Sequence, residues 1–311
     1  MIRLDHREPI PARLRGGIVA LGNFDGFHIG HQAVVGDAVE WASEQGRPAI
    51  VATFDPHPVR LFAPDRAPFR LTTLEQREEL FAAAGAEAML VFHFDGALAE
   101  TSDQDFVCDL LAQRIGAVGV VTGEDLAFGK GRAGNRERLR ELGAGCGLSA
   151  RAVGLVRDGS APVSSTRIRE ALKAGDCVEA ARLLTRPFTI RGTVEHGDKR
   201  GRTMGYPTAN LALGAYLRPR FGIYAVTGRL ADGRVLNGAA NLGVRPTFEP
   251  PRELLETYFF DFGEDLYGQE IDVALHHFLR PEAKFEGIAG LKTQMDADCE
   301  AARKLLSAPA R

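Results

Sequence analysis

The sequence predicts two unlike halves: an α/β half built on a parallel sheet, then an all-β half that closes a small antiparallel β-barrel and ends in a helix. Three observations predict this. Up to about residue 175, short apolar runs alternate with helical patterns, as strand–helix–strand crossovers require, and such crossovers cover a parallel sheet on both faces. Beyond Pro187 the apolar residues recur at a period of two with no helix between runs, so successive strands pair antiparallel. Ala231-Asp232-Gly233-Arg234 is a hairpin turn between two of those runs. The boundary is placed near residue 185, giving domains 1–185 and 186–311.

In the first half, residues 18–21, 49–53, 88–92, 118–122 and 152–156 read as buried strands. Helical patterns occupy about 31–44, 74–84, 104–115 and 135–142. Thr73 with Gln76 makes a capping box, Asp103 is placed to cap the third helix, and Gly46, Gly85 and Gly116 mark C-terminal stops.

Residues 22–31 read Gly-Asn-Phe-Asp-Gly-Phe-His-Ile-Gly-His and turn the first of these strands into a helix. Ligands of parallel sheets bind beyond the carboxyl ends of the strands, and this turn stands there. A helix N-terminus offers free backbone N–H groups and partial positive charge, which suit a phosphate. His28 and His31 add imidazole donors, and Gly30 admits a close approach to the backbone. The plainer alternative makes one histidine a helix cap and the other a surface residue. Three further segments fall at strand ends. Residues 53–58, Thr-Phe-Asp-Pro-His-Pro, form a loop stiffened by two prolines. Residues 123–132 mix glycines with Lys130 and Arg132, a composition suited to a mobile loop over an anion. Ser164-Ser165-Thr166-Arg167 opens another helix with hydroxyls and a guanidinium that suit phosphate, or simply with a serine cap.

Asp176 with Glu179 caps a short helix ending at Leu184. Strands follow at about 188–195, 221–230, 235–241, 254–262 and 271–278, and a final helix runs from about 287 to 306. Ile288, Leu291, Met295 and Leu305 supply its expected apolar stripe. Residues 201–210, Gly-Arg-Thr-Met-Gly-Tyr-Pro-Thr-Ala-Asn, read as a long loop. Within it Thr208 and Asn210 offer hard oxygens of the type Mg²⁺ takes beside substrate phosphates. Strand alternation puts Glu256, Tyr258 and Phe260 on one face and Leu255, Thr257 and Phe259 on the other. A carboxylate sharing a face with two aromatics suits a base acting on a hydroxyl beside a flat apolar ligand, or merely a sheet rim.

The chain has 311 residues, 45 % of them hydrophobic and 25 % charged, with a formal net charge of −3. That balance gives no sign of nucleic-acid binding, and no apolar run reaches membrane-spanning length. Met1 to His6 lack a signal-peptide core, and Cys108, Cys146, Cys177 and Cys299 are widely spaced. The expectations are therefore cytoplasmic residence, no disulfide framework and no zinc knuckle. Self-association, including a homo-oligomer, is left open.

Taken together and in order, these segments resemble the prokaryotic bifunctional riboflavin kinase/FAD synthetase family along nearly the whole chain. The first half resembles its FMN adenylyltransferase module, a Rossmann-like nucleotidyltransferase domain of the His-x-Gly-His type. The segments that carry this likeness are 22–31, 53–58, 123–134 and 164–169. The second half resembles the riboflavin kinase barrel through 200–211, 241–248, 254–268 and 279–285. The resemblance implies that riboflavin is phosphorylated to FMN and that FMN is adenylylated to FAD, both with MgATP. It implies that His28 and His31 bind ATP phosphates and stabilise charge, helped by Gly22, Asn23, Phe24, Asp25, Gly30, Ser164, Ser165, Thr166 and Arg167. His57, Pro58 and Asp125 would lie near the flavin. Gly201, Thr208 and Asn210 would hold the second nucleotide, with Thr208 and Asn210 on Mg²⁺, and Glu256 would be the base for the ribityl hydroxyl. Two positions depart from the family pattern. Phe27 replaces a smaller aliphatic, which would narrow the first pocket, and Leu126 replaces a common aromatic. Alternatives are a nucleotidyltransferase for another phosphate ester, such as a phosphopantetheine or nicotinamide mononucleotide, and a flavin-responsive binding protein.

Overall fold

The computed structural model describes residues 1–196, 205–245 and 252–307. The chain divides into two compact units. The first holds residues 1–67 and 72–164, and the second holds 68–71 and 165–311.

The first unit is a six-stranded, fully parallel sheet in the order β1-β4-β3-β2-β5-β6. Its strands are β1 (Ile2–Asp5), β2 (Ile18–Leu21), β3 (Ala49–Asp55), β4 (Ala88–His93), β5 (Gly119–Gly123) and β6 (Ser149–Val153). All four side chains of β2 are buried, which explains its uninterrupted apolar sequence. The sheet separates two cores. Val19, Leu21, Phe92 and Phe106 belong to one, and Ile18, Ala20, Trp41 and Phe81 to the other. From β2 the chain runs outward through β3 and β4, then returns to place β5 on the opposite side of β2. That reversal opens a crevice at the carboxyl end of β2, and helix α1 (Ile29–Glu44) starts there.

The second unit is a six-stranded antiparallel sheet in the order β10-β13-β12-β11-β14-β9. The first hairpin of the chain outside either sheet pairs β7 (Arg157–Asp158) with β8 (Ala161–Pro162). The sheet strands are β9 (Phe188–Thr193), β10 (Ala209–Ala212), β11 (Gly222–Arg229), β12 (Val235–Arg245), β13 (Arg252–Phe259) and β14 (Glu270–Arg280). A bridge between Glu195 and Asn210 joins the two edges, so the barrel closes. The β11–β12 hairpin turns at Gly233, whose φ of 88° is the left-handed value that the Asp-Gly pair predicts. Asp272 is 8 % exposed, and Arg191 and Arg229 both donate to it. Burial pushes its carboxyl up, but these two guanidiniums more than offset that and hold it below the ordinary range.

Several sequence expectations are corrected. β1 was not expected, and β10 occupies the end of what reads as a loop. Asp103 does not cap the helix Asp105–Ile115. Ser102 Oγ accepts from the Asp105 N–H, while Asp103 receives Arg138 at 2.7 Å. That helix is π-wound, which its periodicity did not announce. Helix Gly287–Leu306 docks through Asp298, Cys299, Ala302 and Leu306, whereas Ile288 is 71 % exposed. Arg280 from β14 grips Asp298 at 2.6–2.8 Å, so an ion pair replaces part of the expected apolar stripe. Cys108 and Cys146, distant in sequence, form a disulfide because helices Asp105–Ile115 and Arg136–Gly145 bring their Cα atoms to 5.6 Å.

Candidate active sites

The turn after β2 is built inward from its residues. Gly22 leaves little room for a side chain, since a Cβ there would lie 3.0 Å from the Phe24 ring and press on it. Phe24 folds back into the core, 2 % exposed, and meets the edge of His31 at 5.3 Å. Asp25 is 4 % exposed and accepts from the Thr72 N–H at 3.1 Å, while Thr72 Oγ1 accepts from the Gly26 N–H at 3.0 Å. Asp25 therefore holds the turn from inside. Phe27 also points inward, edge-on to Phe81 at 5.1 Å, so its bulk goes to the core and does not narrow a pocket.

His28 is the N-cap of α1. Its Nδ1 accepts from the His31 N–H at 3.3 Å, which fixes that nitrogen as an acceptor and leaves Nε2 to carry the ring proton as a donor. Capping engages Nδ1, so the capping reading does not by itself exclude the phosphate-binding one. The His28 and His31 rings stack with centroids 3.6 Å apart. A Cβ on Gly30 would stand 3.2 Å from His28 Cε1 and 3.8 Å from the Val163 carbonyl oxygen. Glycine fits here without displacing the imidazole that crosses the backbone, a reason additional to ligand approach.

His57 caps the helix Pro58–Phe62, its Nδ1 accepting from Val59 N–H at 3.2 Å. Asp125 is exposed on the segment after β5. That segment is tied down by a Phe128–Gly134 bridge and by Phe128 against Phe106 at 5.6 Å. Lys130 pairs with Glu100 at 2.6 Å, so the segment is anchored at its far end. Ser164 ends the first unit. Ser165, Thr166 and Arg167 open the helix Ser165–Ala174 of the second unit, where Arg167 donates to Glu179 at 2.5 Å.

In the second unit, Glu256 on β13 stands directly opposite Asn210 on β10 and Asn241 on β12. Opposed residues in antiparallel strands share a face. Glu256 is half-buried, and Asn210 is 4 % exposed with an Oδ1 that meets no partner. The same face continues through Tyr258, which Tyr206 meets edge-on at 5.0 Å, and Phe260 at 5.9 Å. Tyr206 donates to Asp296 of the terminal helix. A cavity of about 200 Å³ lies beside Thr208, walled by Pro207, Phe259, Phe262 and Tyr267. Gly201 lies outside the described residues.

Residues 10–167 match the family described as FAD synthetase, and residues 184–306 match the one described as riboflavin kinase. A bifunctional riboflavin kinase/FMN adenylyltransferase of Escherichia coli K12 is 37 % identical over 93 % of this chain and 92 % of its own. That of Listeria monocytogenes is 39 % identical over 90 % of each.

The chain belongs to the bifunctional riboflavin kinase/FMN adenylyltransferase family.

A crystal structure described as a macrolide-efflux protein from Streptococcus pneumoniae also matches, with a TM-score of 0.87 and 30 % identity. It covers 97 % of this chain and 99 % of that one. No helix among the described residues is long and apolar enough to cross a membrane.

One organising residue escaped the sequence reading. Arg77 is only 2 % exposed and donates to Asn23 O at 3.1 Å and Thr53 Oγ1 at 2.7 Å. Thr53 Oγ1 donates to the same Asn23 carbonyl at 2.9 Å. Arg77 thus ties the start of the histidine turn to the end of β3. The signal was present: Leu74, Arg77 and Phe81 share the buried stripe of helix Leu74–Ala83, where an arginine is out of place.

Proposed function

We propose that the two reactions of this family are divided between His28 with His31 in the first unit and Glu256 in the second. The chain phosphorylates riboflavin to FMN and adenylylates FMN to FAD. In the adenylyl transfer, an FMN phosphate oxygen bonds to the α-phosphorus of ATP as the α–β bridging bond breaks and pyrophosphate leaves. The observation that supports the assignment is the His28 cap: Nδ1 accepts from the backbone at the start of α1, which fixes the imidazole at a helix N-terminus with its proton on Nε2. The backbone N–H of Gly30, in the first turn of α1, adds to that field. Gly22, Asn23, Phe24 and Asp25 shape the turn, and Ser164, Ser165, Thr166 and Arg167 are retained as phosphate-binding residues on their sequence motif alone. His57, Pro58 and Asp125 are assigned to the flavin on the same ground.

In the kinase reaction, the ribityl 5′-hydroxyl gives its proton to Glu256 as its oxygen bonds to the γ-phosphorus and ADP leaves. Glu256 is half-buried in a row with two amides and followed by Tyr258, which suits a base beside a flat ring. The buried, unpartnered Oδ1 of Asn210 fits a hard cation, and Thr208 stands two residues before it, so these two would hold Mg²⁺. That ion supplies charge neutralisation at the ATP phosphates. The cavity beside Thr208 suits the planar base of the nucleotide. We place the start of the kinase folding unit at residue 165, ahead of the boundary near 185 expected from the sequence, and the protein in the cytoplasm.

Incubation with riboflavin and MgATP, followed by chromatography, tests the assignment. FMN appears first and FAD second in the parent protein. His28→Ala stops at FMN. Glu256→Gln makes FAD only from added FMN. Loss of both products in each variant would overturn the division.

A further inference from the structure

Glu256 has an asparagine on each side. Asn210 on β10 and Asn241 on β12 are its direct cross-strand partners, so the three side chains form one row on one face of the sheet. Neighbouring Cα atoms in such a row are roughly 4.5–5.5 Å apart. The Oδ1 atoms of both asparagines are buried and meet no hydrogen-bond partner. Buried acceptors are normally satisfied, and an orphan is costly unless a ligand completes it. Two orphan oxygens beside a carboxylate form a strip of acceptors. Such a strip repels phosphate oxygens and calls for O–H donors or a cation.

The two asparagines are not equivalent. Asn210 stands on the same short segment as Thr208, on the side assigned to the cation and the ATP phosphates. Asn241 stands across Glu256 from that segment, on the strand that continues toward β11. A base for phosphoryl transfer lies between the phosphate donor and the rest of the accepting molecule. The side of Glu256 away from Thr208 is therefore where the remainder of the polyol chain runs, and its hydroxyls are the donors that an unpartnered amide oxygen needs.

We propose that Asn241 is a substrate-binding residue of the kinase site, its Oδ1 accepting a hydrogen bond from a ribityl hydroxyl next to the one that Glu256 deprotonates. The inference rests on the reading of Glu256 as the base. It makes Asn241 a determinant of polyol recognition, separate from the flavin ring and from MgATP.

The test uses the full-length protein with Asn241→Ala, Asn241→Asp and Glu256→Gln. Riboflavin binding is followed by flavin fluorescence without ATP, and KM is measured separately for riboflavin and MgATP. Asn241→Ala is expected to weaken riboflavin binding and raise its KM roughly three- to tenfold, the worth of one net hydrogen bond. KM for MgATP and the Mg²⁺ dependence stay within about twofold. Asn241→Asp, which keeps the acceptor, is expected to recover riboflavin binding. An isoalloxazine lacking the polyol should bind the parent and Asn241→Ala equally. FAD formation from added FMN reports on the integrity of the remainder. A shift in Mg²⁺ dependence or in KM for MgATP would assign Asn241 to the cation and overturn the proposal, as would unchanged riboflavin binding. Full kinase activity in Glu256→Gln would instead remove the underlying reading. An inactive Glu256→Gln beside a normal Asn241→Ala would sink this inference alone.

Discussion

The imidazoles of His28 and His31 lie face to face, their centroids 3.6 Å apart and their planes 18° from parallel. His28 holds the helix start through Nδ1, and His31 is braced by the edge of Phe24.

The capping and chemical roles of His28 can be separated by substitution. His28→Ala should lose the cap, about 0.5–2 kcal/mol of stability, and about 10²–10³ in FAD turnover. His28→Asn restores a good N-cap but carries no imidazole. It should recover thermal stability while FAD formation stays low. Recovery of FAD turnover in His28→Asn would show that the cap alone matters.

Arg77 carries the second prediction. Removing its guanidinium leaves the Asn23 carbonyl and the buried Thr53 hydroxyl with one donor fewer, and Asp55 at 4.0 Å loses a cation. Arg77→Met should destabilise the first unit by about 3–5 kcal/mol, as loss of one member of a buried charged network does. FAD formation should fall further than the folded fraction, since the turn bearing His28 loses its anchor. FMN formation should remain. Equal losses of both products at a temperature where both units are folded would remove the special role given to Arg77.

The two architectures were legible because each rests on periodicity. The buried run of β2 and the two faces of β13 around Glu256 follow from the strand period, and the Thr73–Gln76 capping box is present as read. The turn around His28 was legible as a strand-to-helix turn with a histidine at the helix start, but its inner construction was not. The His28 ring lies close over Gly30, and Asp25 is spent on Thr72, 47 residues away, which are facts about folded atoms that no local pattern shows. The same limit explains the terminal helix. Its docking face is decided by the Arg280–Asp298 pair, and a hydrophobicity pattern assigns that aspartate to solvent. Cys108 and Cys146 were dismissed on spacing, although helix packing alone sets their distance.

That disulfide gives the third prediction. It closes a loop of 38 residues containing β5 and the segment after it. The chain-entropy relation assigns such a loop about 4 kcal/mol. A cytoplasmic protein would hold the pair as thiols, so oxidation should raise the unfolding temperature of the first unit and reductant should lower it. The double variant Cys108→Ser, Cys146→Ser should match the reduced parent and ignore reductant. A reductant effect of equal size in the double variant would exclude this disulfide as its source.

The last prediction concerns where the kinase unit begins. Helices Ser165–Ala174 and Cys177–Leu184 cluster with the second unit, upstream of the boundary near 185 drawn from sequence. Ala180 and Leu183 are fully buried, Leu184 is 1 % exposed, and the helix that carries them packs on β9 and β14. Burying each leucine side chain is worth about 1.5–3 kcal/mol. Arg186 donates to the Leu184 carbonyl at 2.9 Å, and burial pushes its guanidinium down to about 10. A fragment starting at residue 186 would expose the β9–β14 face and leave Arg186 without that carbonyl. Residues 165–311 alone should therefore be soluble, melt cooperatively and phosphorylate riboflavin, whereas residues 186–311 should aggregate or melt far lower. Equal stability of the two fragments would show that the helices before residue 185 contribute nothing to the folded kinase, and that its folding unit begins where the sequence alone placed it.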